Sequence, residues 1–242
     1  MEITGVIKRR ILVNYRVAPE LVCPLLPAPF RPKLHRGFAI VGICLIRLES
    51  MRPAGMPAFI GISSENAAHR IAVEWDEGAA VREGVFVFRR DTNSLMNHYA
   101  GGRLFPGEQH FADFTVRDRD GHVGLRVRTD KGTALVELRG HETTELPADS
   151  LFHSLEESSR FFEGGSLGFS LSKAGDIDGM KLVTREWTVK PFAVEISRSR
   201  FFADTQVFPE GSVTLDHAII MRDIPHDWQR CDAPAMSVKR IG

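Results

Sequence analysis

The sequence predicts a mainly β (α+β) protein built on a curved antiparallel sheet or barrel with few helices. Three observations carry this. Apolar runs of strand length, such as HRIAVEW, EGVFVF, HVGLRVR and TALVELR, recur along the chain. Neighbouring runs are joined by short turns, DRDG and DKG among them, rather than by crossover helices. Only one stretch, near residues 150–163, carries a convincing helical stripe. A doubly wound α/β fold needs strands that alternate with helices, and this pattern lacks them.

Taken in order, ILVNYRV is β-branched and apolar and reads as a strand. PELVCPLLP reads as a short helix with proline in its first turn, stopped by Pro24 or Pro27. GFAIVGICLIRLESM is nearly continuous in apolar residues, which predicts a long strand buried on both faces. HRIAVEW and EGVFVF come next, joined by an acidic, Gly/Ala-rich turn, with Glu65, Arg70, Arg89 and Arg90 flanking the apolar runs. A helix-like segment, SLMNHYAGG, leads to Arg103 and the Pro106-Gly107 turn, and His110 opens the next strand. From His110 to Gly140 the pattern is an antiparallel meander. Its middle strand puts Val123, Leu125 and Val127 on one face and Gly124, Arg126 and Arg128 on the other, so one face is wet. In the predicted helix, Asp149 is placed as the cap, Leu151, Leu155 and Phe162 form the stripe, and Gly164 and Gly165 end it. MKLVTREWTVK, FAVEISRS and SVTLDHAIIM return to strands. No repeat, linker or boundary interrupts the chain, so residues 1–242 are read as a single domain.

Composition narrows the function classes. Thirty-one basic residues balance 31 acidic ones, so no global field favours nucleic acid or a membrane surface. The basic set holds 24 arginines and 7 lysines. Coding bias accounts for most of that excess, and bidentate carboxylate or phosphate recognition applies at one or two positions at most. Cys23, Cys44 and Cys231 form neither a disulfide framework nor a metal motif, which points to a reducing cytoplasm. MEITGVIKRR has no apolar core of a signal peptide, and the longest apolar run, Phe38 to Ile46, falls well short of the ~20 residues of a membrane span. The chain reads as a soluble cytoplasmic protein.

Local motifs add little. GGSLG, from Gly164 to Gly168, matches the G-x-S-x-G nucleophile pattern, with Asp204, Asp216, His217 and His226 downstream in hydrolase order. A nucleophile elbow needs a strand before the serine and a helix after it, whereas here the helix precedes, so Ser166 reads as helix termination. HETTE is not H-E-x-x-H, and no metal site is read from the histidines. With no P-loop and no G-x-G-x-x-G, no cofactor is expected. There remain Glu65, Arg70, Arg89, Arg90, Arg103 and His110. The residues alone leave two readings open: solvated strand ends with surface ion pairs of little energetic consequence, or an interior polar site.

Several segments point beyond composition. KRRILVNYRVAPELVCPLLPAPFRP, SSENAAHRIAVEW, GVFVFRRDTNSLMNHYAGGRLFPG and FFEGGSLGFS, in this order and spacing, resemble the acetoacetate decarboxylase-like superfamily, in particular its uncharacterised YqjF-like bacterial branch. Gly102, Arg103 and Gly107 match the family's G-R-x-x-x-G motif, and Glu65 matches its acidic residue before a strand. The resemblance implies a double-curved antiparallel sheet closing into a cone-like barrel around an apolar pocket. In the decarboxylase a lysine pair just beyond G-R-x-x-x-G supplies the Schiff-base amine. Carried over ungapped, the pair falls on His110 and Phe111, and with a one-residue slip on Gln109 and His110. Neither alignment provides a lysine, and none occurs between Lys33 and Lys131. Imidazole is not a primary amine, and a guanidinium stays protonated and non-nucleophilic, so decarboxylation through an imine is not expected.

The residues then fit a pocket for a small organic (keto) acid, with Glu65 and His110 as proton-handling candidates. Arg70, Arg89, Arg90, Arg103 and Gln109 are the candidate ligand contacts, Arg70 or Arg103 holding the carboxylate with a fixed guanidinium fork. The rival is a non-catalytic sensor, or a structural homo-oligomer whose partner is a second copy of the chain. Neither reading calls for nucleic acid, membrane or metal.

Overall fold

The apolar runs pair into one 13-stranded sheet in the computed structural model, which describes residues 2–95, 107–232 and 234. The strands are β1 (Ile3–Val17), β2 (Arg31–Pro32), β3 (Leu34–His35), β4 (Phe38–Pro53), β5 (Ile62–Glu77), β6 (Ala80–Thr92), β7 (Gln109–Arg119), β8 (His122–Thr129), β9 (Ala134–Glu142), β10 (Leu167–Leu171), β11 (Ile177–Thr184), β12 (Lys190–Ser199) and β13 (Thr214–Cys231). Their pairings are antiparallel except two short contacts of β6, one with β7 and one with β10. Among the described residues no helix is long and apolar enough to cross a membrane.

Five strands in the order β13-β1-β4-β5-β6 form a wall whose two outer strands each carry two further neighbours. On one side β6 pairs β10 at Val85 and Phe86, then β7 from Arg90 to Thr92. On the other, β13 pairs β12 from Ala218 to Ile220 and β11 from His226 to Cys231. The path β7-β8-β9-β12 closes a larger ring of nine strands on this wall, and β10-β11 closes a smaller ring of seven. Both forks coincide with irregular backbone. A register shift opposite His69 and Arg70 leaves Phe88 as an extra residue on β6, between its β10 and β7 segments; such a bulge bends a strand and re-aims the residues beyond it. On β13, Asp223 (φ 57°) and Pro225, which has no N–H to donate, lie between the β12 and β11 segments.

The shared wall explains the near-continuous apolarity of β4. Val41, Ile43 and Leu45 join one core with Ile11 and Val13 of β1, while Ile40, Cys44 and Ile46 join a second core with Leu12. Both faces of the strand are therefore inside the molecule, as predicted. The meander β7-β8-β9 also follows its pattern, with Val123, Leu125 and Val127 buried and Arg126 and Arg128 exposed.

Two helices are labelled, α1 (Pro19–Val22) and α2 (Leu155–Glu163), the second laying Phe162 on the second core. Its cap differs from the sequence reading. Ser154, not Asp149, accepts the Glu157 N–H at 3.1 Å, while Glu157 accepts the His153 N–H at 2.7 Å. The Ser154-x-x-Glu157 spacing is that of a capping box, and Asp149 is left exposed near Arg16. Strand limits differ as well. Glu65, Arg70, Arg89 and Arg90 lie within β5 and β6 rather than at solvated ends, because the hairpin runs on to complete both rings. Most of SLMNHYAGG, together with Gly102, Arg103 and Pro106, lies outside the described residues.

Candidate anion-binding cavity

Consecutive residues of a strand face opposite sides, and in β5 this sorts the predicted site. Asn66, Ala68 and Arg70 face the lumen of the smaller ring, where a cavity of about 100 Å³ remains between the walls. All seven strands of that ring contribute to it: Arg10 from β1, Cys44 from β4, Arg70 from β5, Val87 and Arg90 from β6, Gly168 from β10, Met180 from β11 and Trp228 from β13. Gln109, at the start of β7, and Ser166, in the turn after α2, complete the lining.

The charges are unbalanced. Arg10, Arg70 and Arg90 all line the cavity. The only carboxylate among the described lining residues, Asp91, is held bidentately by Arg89, with Nη2 donating to Oδ1 at 2.7 Å and Nε to Oδ2 at 3.0 Å. Arg70 is 2% exposed. Its Nη2 donates to Asn14 Oδ1 at 2.6 Å, and its guanidinium carbon lies 5.0 Å from the centre of the Phe162 ring. Its Nε and Nη1 have no hydrogen-bond partner among the described residues. Arg90 donates from Nε and Nη2 to Ser170 Oγ at 3.3 and 3.2 Å. Burial pulls both guanidinium groups down to a pKa of about 10, which leaves them charged at neutral pH. A buried charge without a counter-charge is costly, and two nitrogens without hydrogen bonds add to that cost. A small anion in the lumen would supply the missing counter-charge.

Arg70 is the end of a buried relay. Asp216 Oδ2 lies 2.6 Å from His217 Nδ1, which puts the imidazole proton on that nitrogen and makes Nε2 the acceptor. Nε2 then receives Ser158 Oγ–H at 2.7 Å, while Asn14 Nδ2 donates to Leu12 O at 3.2 Å and lies 3.3 Å from Nε2, and this turns the Asn14 oxygen towards Arg70. Burial pushes the Asp216 carboxyl up. Hydrogen bonds from His217, the Leu151 N–H and Ser150 outweigh that and hold it below the usual range. Ser158, His217 and Asp216 have the order of a hydrolytic triad, yet Ser158 is fully buried and lies outside the cavity lining. Here the constellation orients a guanidinium.

The predicted residues divide accordingly. Arg70, Arg90 and Gln109 come together on the cavity. Arg89 sits behind it on Asp91. Glu65 faces the larger ring, where Arg9 Nη2 donates to its Oε2 at 2.6 Å and Arg47 lies at 4.0 Å. Burial raises the Glu65 carboxyl, with Arg9 and Arg47 opposing. His110 follows Gln109 on β7, beside Asp91, and is not among the lining residues, so of these two predicted residues Gln109 is the one on the cavity. Arg103 is outside the described residues. Arg10, Asn14, Cys44, Ser158 and His217 were not legible as a group. The one local sign was a polar Asn14 inside the apolar run ILVNYRV, since a buried strand amide needs a polar partner.

The profile of DUF2071, described as an uncharacterized conserved protein, matches residues 6–212. The chain belongs to the DUF2071 family. No curated protein matches its sequence. Among solved structures, this DUF2071 protein is similar to acetoacetate decarboxylase from Legionella pneumophila, with a TM-score of 0.62 and 11% identity over 96% of this chain and 88% of that one. It is also similar to an acetoacetate decarboxylase-like enzyme from Sphingomonas wittichii, with a TM-score of 0.59 and 14% identity over 96% and 92% of the two chains. A third, the enduracididine biosynthesis enzyme MppR complexed with pyruvate, has a TM-score of 0.58 and 10% identity over 95% and 89%. At these identities the likeness establishes the fold, an acetoacetate decarboxylase-like sheet with ring-like closure.

Proposed function

We propose that the smaller ring of this DUF2071 protein binds a small organic acid, with Arg70 as the carboxylate anchor and Arg90 and Arg10 completing a positive lumen. The observation that carries this reading is the meeting of three guanidinium groups, Arg10, Arg70 and Arg90, on one cavity whose only described carboxylate, Asp91, is already held by Arg89. A carboxylate is the small anion that a guanidinium grips best, through parallel N–H bonds that here would include the second Nη2 proton of Arg70. The cavity volume of about 100 Å³ admits roughly seven to ten water-sized groups at about 10–15 Å³ each, which suits a small organic acid, and Val87, Met180 and Ile46 offer its short chain an apolar wall. A pyruvate complex of a protein with the same fold is consistent with a ligand of this size. Gln109 in place of an amine removes the imine route, so the reading is of a keto-acid pocket whose chemistry, if it turns over, is not Schiff-base decarboxylation.

Isothermal titration with pyruvate, acetoacetate and their neutral amides tests this. The acids should bind and the amides should not, and Arg70→Gln should weaken the acids by roughly tenfold or more, the 1.4 kcal/mol scale of one lost charge-assisted hydrogen bond. Equal binding of acid and amide would exclude Arg70 as the anchor.

A further inference from the structure

Cys44 occupies the middle of β4 and projects into the same lumen, 8% exposed. Arg10 Nε donates to its sulfur at 3.3 Å, and Arg70 and Arg90 both lie within electrostatic reach of it. Cys23 is exposed and Cys231 is half-buried, and neither lines the cavity. A buried cysteine in an apolar wall is ordinarily an inert packing residue. Here the thiol shares its cavity with three guanidinium groups, one of which, Arg70, is 2% exposed and has two nitrogens without a hydrogen-bond partner among the described residues.

We propose that Cys44 is a nucleophile of this cavity, attacking an electrophilic carbon of a small carboxylate held by Arg70. The inference rests on the organic-acid reading above. It assigns a substrate class, carboxylates with an electrophilic carbon next to the carboxyl group, of which α-keto acids are the simplest. In the addition step a bond forms between Sγ and the keto carbon, the carbonyl π pair moves to its oxygen, and the thiol proton passes to that oxygen. The product is a reversible hemithioketal, and the step needs no oxidant, reductant or leaving group. Arg70 fixes the carboxylate, and the Arg10 N–H holds the sulfur in place, so that nucleophile and carbonyl meet without a bimolecular orientation cost.

Competitive alkylation distinguishes the parts, with Cys23 as an internal reference in the same chain. Iodoacetate carries the carboxylate that Arg70 would hold, and iodoacetamide is its neutral analogue. The alkylation forms the S–C bond, releases iodide and sends the thiol proton to solvent. Peptide mapping by mass spectrometry should show iodoacetate favoured over iodoacetamide at Cys44, relative to Cys23, by roughly tenfold or more, the scale on which a charged cleft concentrates an anion. Pyruvate should protect Cys44, and Arg70→Gln should abolish the preference while the folded protein retains its thermal transition. If Cys44 resists both reagents while pyruvate still binds calorimetrically, the nucleophile is wrong and the anion cavity stands. If Cys44 reacts with both reagents alike, without protection by pyruvate, the anion cavity fails and the proposal falls with it.

Discussion

Arg70 lines the lumen of the smaller ring and is held to Asn14 by a 2.6 Å hydrogen bond from Nη2, while its Nε and Nη1 are buried without a partner among the described residues. The pairing of a charged donor with a neutral acceptor preserves the full positive charge of the cavity. Asn14→Asp should therefore be informative. The new carboxylate would occupy the guanidinium as an internal counter-ion, and affinity for pyruvate should fall by roughly tenfold or more, about 1.4 kcal/mol. The substitution also removes the Nδ2–H beside His217 Nε2 and Leu12 O, so a thermal melt of the variant accompanies the comparison of affinities. Unchanged affinity by calorimetry would remove Arg70 from the site.

Imine chemistry is expected to be absent. Borohydride treatment in the presence of a β-keto acid should leave the intact mass unchanged, since the lumen presents Gln109 where an amine would be needed. A reduced adduct on any lysine would contradict this.

His110 and Gln109 make a sharp pair, one residue apart on β7. His110→Ala should leave binding of organic acids unaltered at pH 5.5 and at pH 8, because His110 does not line the cavity. Gln109→Ala should change affinity at both. Calorimetry on the two variants separates them, and a selective loss with His110→Ala at acid pH would move the site towards that histidine.

Acid should destabilise the protein earlier than its carboxylates alone would. Burial, with Arg10 nearby, lowers His226 from 6.5 to about 4, and burial with Arg89 nearby lowers His69 to about 3. Between pH 6.5 and about 4 the unfolded chain takes up protons that the folded chain refuses, so stability falls as pH falls. Each histidine contributes a slope of at most about 1.4 kcal/mol per pH unit. Asp118, Asp216 and Glu142, all held below their ordinary values, add their losses only at lower pH, and Glu65, raised by burial, acts in the opposite sense. Thermal melts from pH 7 to pH 4.5 should show the decline, and His226→Leu should flatten it. Parallel pH profiles for wild type and variant would refute the assignment.

Helix capping offers a stability test away from the cavity. Ser154→Ala should cost about 1 kcal/mol, whereas Asp149→Ala should have little effect. Urea unfolding of the two variants measures the difference.

Local pattern determined the strands, and it did so because alternation and turn residues act over a few neighbours. The apolar run of β4 announced burial on both faces, and the meander from His110 to Gly140 announced one wet face. The family resemblance added the closure. Tertiary structure decided which of the flagged charges share a space. Glu65 and Arg70 are five residues apart and equally polar on paper, yet side-chain alternation along β5 sends one to Arg9 in the larger ring and the other to the cavity in the smaller. Arg10, Cys44 and Arg90 reach the same lumen from three strands, and no local rule links them. Their meeting depends on how β6 and β13 fork, at the Phe88 bulge and at Asp223 and Pro225, and on ring closure between segments distant in the chain. Long-range register is set by the summed burial of both faces of the wall, a property of the whole sheet and not of any segment in it.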